Sequence, residues 1–121
     1  MAAHVVGRLA DLEEGRHLIV EIGGRSIGIV RANGRLYGIR NMCPHQQGPL
    51  CEGGVFPTHT AVVERVGEVR EFLDHERPVI SCPWHGWEFD LSTGTCLADP
   101  SRRVATYEVV VESGNIVVHV G

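Results

Sequence analysis

The sequence predicts an all-β domain, an antiparallel sandwich or partial barrel with a compositionally distinct lobe inserted into it. Short runs rich in Val and Ile dominate both ends of the chain, and glycine-containing turns separate them. The middle, residues 41–94, holds all but one of the Cys and most of the Pro, Trp and His. Taken in order, 17–22, 25–31 and 35–41 read as three successive strands. Gly23-Gly24 and Asn33-Gly34 connect them, and such two-residue turns favour hairpins because both central positions take positive φ at low cost. Residues 104–111 alternate as a fourth strand, and 116–120 follow as a fifth after a Ser113-Gly114-Asn115 turn. With edges to cover and short connections, closure into a sandwich or partial barrel is expected. Between the two halves, Val62, Val63, Val66, Val69, Phe72 and Leu73 are spaced like one face of a helix that Pro78 would stop. Gly67 and the many valines weaken that helix, and a hairpin whose second strand runs through Pro78-Val79-Ile80 into Cys82 is the alternative.

The chain has 121 residues, the size of one domain, with 43% hydrophobic and 21% charged residues as in soluble globular proteins. Fifteen acids against eleven bases, all Arg, give a net charge of −4. That is the wrong sign for holding nucleic acid or anionic lipid by charge, so neither is expected as a partner. No run approaches the roughly 18 apolar residues of a membrane span, and the first residues lack a signal-peptide pattern, which leaves the cytoplasm as the expected location. In that reducing compartment Cys43, Cys51, Cys82 and Cys96 read as metal ligands or thiols rather than a disulfide framework.

Two segments carry the chemistry: Cys43-Pro44-His45 and Cys82-Pro83-Trp84-His85. Each puts a thiol and an imidazole on a proline-stiffened loop, so two facing loops supply two sulfurs and two nitrogens. Cys₂His₂ suits either zinc or a [2Fe–2S] cluster with mixed ligands. Zinc fingers usually pair like with like, whereas C-x-H and C-x₂-H pair unlike ligands within each loop, which lets both Cys bind one iron and both His the other.

Over Asn41-Met-Cys-Pro-His-Gln-Gln-Gly-Pro-Leu50, Ser81-Cys-Pro-Trp-His-Gly-Trp-Glu-Phe-Asp90 and Leu91-Ser-Thr-Gly94, the chain resembles the Rieske ferredoxins and Rieske domains. Its flanking strands fit the same family. The resemblance implies one domain over 1–121, with a base from 1–40 and 95–121 and a cluster-binding lobe at 41–94. It implies one Rieske-type [2Fe–2S] cluster per chain, with Cys43 and Cys82 on the inner iron and His45 and His85 on the outer, solvent-facing iron. The 36 residues between His45 and Cys82 exceed the compact family pattern. The extra segment, about 53–77, costs little, since each doubling of loop length adds only about 0.6 kcal/mol of closure entropy.

Two ferric ions, two sulfides and two thiolates sum to zero, and one electron takes such a site only to −1, whereas a four-thiolate cluster goes from −2 to −3. Rieske potentials accordingly run from about −150 to about +300 mV. High-potential members of the resembled family carry an extra loop cysteine and two hydroxyl donors; the matching positions here are Trp84, Trp87 and Phe89. A potential near −150 mV is therefore expected. With one ring nitrogen on iron, His45 and His85 would become more acidic on oxidation.

Such a potential suits a ferredoxin that carries single electrons from a flavin-containing reductase to a terminal non-haem iron oxygenase. His4, His17, His59, His75 and His119 show no 2-His-1-carboxylate grouping, so bond-making at a substrate falls to the partner. Cys51 and Cys96 read as thiols without a role, Trp84 and Trp87 as packing around the cluster, and the alternating acids and arginines of 64–77 as a solvated face. Two other readings stay open: a Rieske small subunit of a reductase such as assimilatory nitrite reductase, and a structural zinc-binding interaction module.

Overall fold

The computed structural model describes residues 2–44, 48–65, 68–83 and 86–120, with the side chains of these apart from 52 and 56–76. Nine strands are found among them: β1 (Ala2–Arg8), β2 (His17–Ile22), β3 (Arg25–Ala32), β4 (Arg35–Arg40), β5 (Val55–Arg65), β6 (Glu68–Ser81), β7 (Glu88–Asp90), β8 (Thr106–Glu112) and β9 (Asn115–Val120). The all-β expectation holds. All pairings are antiparallel, in a six-stranded sheet of order β1-β9-β8-β4-β3-β2 and a three-stranded sheet of order β5-β6-β7.

The three tight turns of the larger sheet share one chemistry. Gly23 and Gly24, Asn33 and Gly34, and Ser113 and Gly114 all take positive φ, the paired left-handed conformation that matches strand twist. Asn115, expected in the last turn, instead pairs with Glu112 as the first residue of β9. All six strands feed one apolar core, with Ile27, Ile29, Ile116 and Val118 buried and Val6, Leu18, Val20, Leu36 and Val109 packed on them. The sheet thus curls until its two edge strands meet over shared side chains, which is the partial barrel expected.

Strand β3 is buried from Ile27 to Val30 without alternation because both its faces are covered. Ile27 and Ile29 enter the barrel core, while Val30 and Ala32 enter a second core with Ile39, Leu50, Ile80 and Phe89. β3 and β4 are therefore the wall between the barrel and the smaller sheet, and the second core is where the two cysteine motifs lie.

The undecided middle segment is a hairpin. β5 and β6 pair from Val55↔Ile80 to Arg65↔Glu68, and β7 adds to β6 only at Val79–Ser81. Opposed prolines, Pro57 and Pro78, stand where the register breaks, since neither has an N–H to give the ladder. Beyond them the ladder continues as a two-stranded ribbon. The helical spacing was misleading because the β-branched valines serve a strand equally well. β1 and β7 were not foreseen; seven residues with a glycine, and three residues, carry too short a pattern to read.

Candidate metal centre

Asn41 starts the first motif by joining three pieces of chain. Its backbone N–H donates to the Ser26 carbonyl at 2.9 Å, its side-chain amide to the Ser26 hydroxyl at 3.1 Å, and its Oδ1 accepts the Cys51 N–H at 2.8 Å. It thereby fixes the end of β4 to β3 and to the 3-10 turn Leu50–Glu52. Just past that turn, Gly53 lies so close to the strand end before Cys82 that a Cβ there would fall on the Ser81 carbonyl oxygen. The Ser81 N–H donates to the Gly54 carbonyl at 2.9 Å. The exit of the first loop is thus docked on the entry of the second.

Both loops close in the same way. The Cys43 N–H donates to the Gly48 carbonyl at 2.8 Å and the Cys82 N–H to the Trp87 carbonyl at 2.7 Å, each reaching five residues ahead. In the second loop Gly86, at φ 71°, also donates to the Cys82 carbonyl at 2.8 Å, a left-handed position that glycine takes without strain. Two loops of different ligand spacing thereby share one closing bond.

Cys43 and Cys82 are 1% and 2% exposed and share an apolar core with Leu50, Ile80, Phe89, Leu91 and Val104. None of the four cysteines is in a disulfide. Neutral thiols rest in such surroundings without a partner, whereas a thiolate there needs a positive charge beside it, which a bound metal would supply. The described residues fit the sulfur half of a mixed-ligand site. His45 and His85, expected as the nitrogen half, lie outside the described residues, as does Trp84. Among the described residues no group of three or more His, Cys, Asp or Glu side chains lies together.

Cys51 and Cys96 are wholly buried in the same core as the motif cysteines. The Cys51 sulfur lies 3.7 Å from the Ile39 carbonyl and so close to β3 that only a glycine fits opposite, at Gly28. Trp87 packs on this core and carries the Arg102 guanidinium 5.1 Å above its ring. Asp99 holds Arg102 at 3.3 Å, and hydrogen bonds from the Ser101 hydroxyl and N–H, with Arg102 beside them, keep its carboxyl below the usual carboxylate range. Asn41, Gly53 and Arg102 are the site-shaping residues that sequence reading passed over. The Gly53-Gly54 doublet was a signal for the second, while Arg102 is brought in by a loop that no local pattern announces.

Comparisons with known proteins cover the stretch of chain that contains both motifs. The family described as the Rieske [2Fe–2S] domain matches residues 2–108. Apoptosis-inducing factor 3 of Homo sapiens is 35% identical over 89 residues, 74% of this chain, although the match spans only 11% of that protein's length. The ferredoxin component of the naphthalene 1,2-dioxygenase system of Pseudomonas putida is 27% identical over 91% of this chain and 88% of its own. Among solved structures, the ferredoxin of carbazole 1,9a-dioxygenase from Nocardioides aromaticivorans IC177 superposes with a TM-score of 0.72 at 28% identity, covering 98% of this chain and 97% of that one. A putative NADH-dependent nitrite reductase small subunit from Mycobacterium tuberculosis shares the fold, with a TM-score of 0.76 at 23% identity over 99% and 96% of the two chains. Among the described residues no helix is long and apolar enough to cross a membrane.

Proposed function

We propose that this chain, which belongs to the Rieske [2Fe–2S] domain family, is a one-electron carrier whose cluster is held by Cys43, His45, Cys82 and His85. The observation that carries the reading is that the two buried motif cysteines each open a loop closed by the same backbone bond to the residue five ahead, and that the two loops are docked on each other through Gly53, Gly54 and Ser81. When bound, a Rieske cluster takes up and gives back a single electron. The chain's part is to keep water from both sulfurs, to hold the loops in register through Asn41 and the Gly53–Ser81 contact, and to change shape little between oxidation states.

The partners in this reading are a flavin-containing reductase and a terminal non-haem iron oxygenase, in the cytoplasm. Support comes from end-to-end similarity to ferredoxin components of two dioxygenase systems at 27% and 28% identity. The likeness to a nitrite reductase small subunit, at 23% identity, speaks to the fold alone. Iron and acid-labile sulfide analysis tests the cofactor: a coloured protein with two of each per chain is expected, and a colourless protein containing only zinc would overturn it. Affinity capture from the source organism tests the partners; retention of a sirohaem enzyme in place of an oxygenase would replace this reading with the reductase one.

A further inference from the structure

Arginines gather on one side of the cysteine motifs although the whole chain is acidic. A cleft of about 240 Å³ is lined by Arg40, Met42, Cys43, Pro44 and Arg103, with Val104 and Ala105 completing it. The Arg40 N–H donates to the Ala105 carbonyl at 2.9 Å, which holds the end of β4 beside the segment bearing Arg103. Arg102 carries its charge to the other motif, over Trp87, but Asp99 neutralises it at 3.3 Å. Arg40 and Arg103 differ from it: among the described residues no carboxylate lies within ion-pair distance of either, and the one side-chain hydrogen bond is from Arg103 to the Thr93 carbonyl at 3.5 Å. Two guanidinium groups with no ion pair among the described residues thus flank an open cleft whose wall includes Cys43, with Met42 exposed beside them.

We propose that this cleft is a docking face for a redox protein whose contact surface presents carboxylates, received by Arg40 and Arg103 beside the first motif. Guanidinium groups hold carboxylates in a bidentate fork, and a local field of opposite sign speeds encounter even where net charges repel. The inference rests on the cluster lying at these motifs. A partner chosen by net charge alone would be basic, to suit a chain of −4, so the proposal opposes what composition suggests.

Small redox ions of known charge read the local field directly. In the test, the reduced holoprotein gives one electron to hexacyanoferrate(III), which becomes hexacyanoferrate(II) with no proton or bond involved. Raising ionic strength from about 100 mM to about 500 mM, which shrinks the screening length from about 10 Å, already shorter than the molecule, to below 5 Å, should slow this oxidation measurably. The cationic oxidant hexaamminecobalt(III) should speed up over the same range. The double variant Arg40→Gln, Arg103→Gln should reverse the hexacyanoferrate trend, and Arg103→Gln alone, an exposed change, should weaken it. Elution from immobilised polyglutamate gives a second readout, with retention by the intact chain and loss of retention in the double variant. Hexacyanoferrate oxidation that accelerates with salt in the unaltered protein, or a double variant that behaves like it, overturns the docking face. A protein without visible absorbance defeats the cluster reading instead, and the polyglutamate result still decides the face.

Discussion

At the scale of single residues, glycines and one asparagine dock the loops of the two motif cysteines on each other. Gly53 has an ordinary φ of −77°, so its need for glycine comes from space rather than backbone conformation. A methyl there meets the Ser81 carbonyl, which is backbone and moves only with the strand leading into Cys82. Gly53→Ala is expected to lose about 1–3 kcal/mol of stability, as overpacking does, and to lower cluster content with it. Gly86→Ala meets open space and suffers only left-handed strain, about 1–2 kcal/mol. Urea denaturation with iron analysis compares the two; a Gly53→Ala protein of full cluster content would show that the docking of the loops is dispensable. The cysteines divide similarly. Cys43→Ala and Cys82→Ala should each abolish the visible spectrum, whereas Cys51→Ala should keep it at a modest cost in stability. The motif cysteines were legible because they come with a histidine at fixed spacing. Nothing in the sequence says that Cys51 fills the room left by Gly28, because that packing joins residues 23 positions apart.

At the scale of elements, short-range signals were the readable ones. The hairpins of β2, β3 and β4 follow from Gly23-Gly24 and Asn33-Gly34, whose φ values are those such turns require. The 53–77 segment was ambiguous because periodicity in a valine-rich run serves helix and strand alike, and the register is set by where the chain must return, at Val79–Ser81 against β7. The opposed prolines suggest that the ribbon beyond them is an appendage to the site. Replacing residues 59–73 by an Asn-Gly turn should leave the cluster spectrum intact and shift stability by no more than about 1 kcal/mol, given the weak dependence of closure entropy on length. Thermal unfolding followed at the cluster absorbance checks this. Loss of the cluster on shortening would mean that the ribbon supports the site.

On the whole-molecule scale, one wall of two strands separates a barrel core from a second core that holds both motif cysteines, so the fold is built around keeping two sulfurs dry. Phe89, one of the two positions at which the resemblance leads one to expect a hydroxyl donor in high-potential members, is wholly buried in that second core. A residue that offers no hydrogen bond there leaves the reduced site without that stabilisation, so voltammetry should give a potential near about −150 mV; a value above about +100 mV would contradict the account. Mixed ligation is the central claim, and pulsed electron paramagnetic resonance of the dithionite-reduced protein labelled with ¹⁵N-histidine tests it most directly. The account predicts couplings from two imidazole nitrogens, one lost in His45→Cys and the other in His85→Cys; a reduced cluster that shows no histidine nitrogen coupling would contradict it.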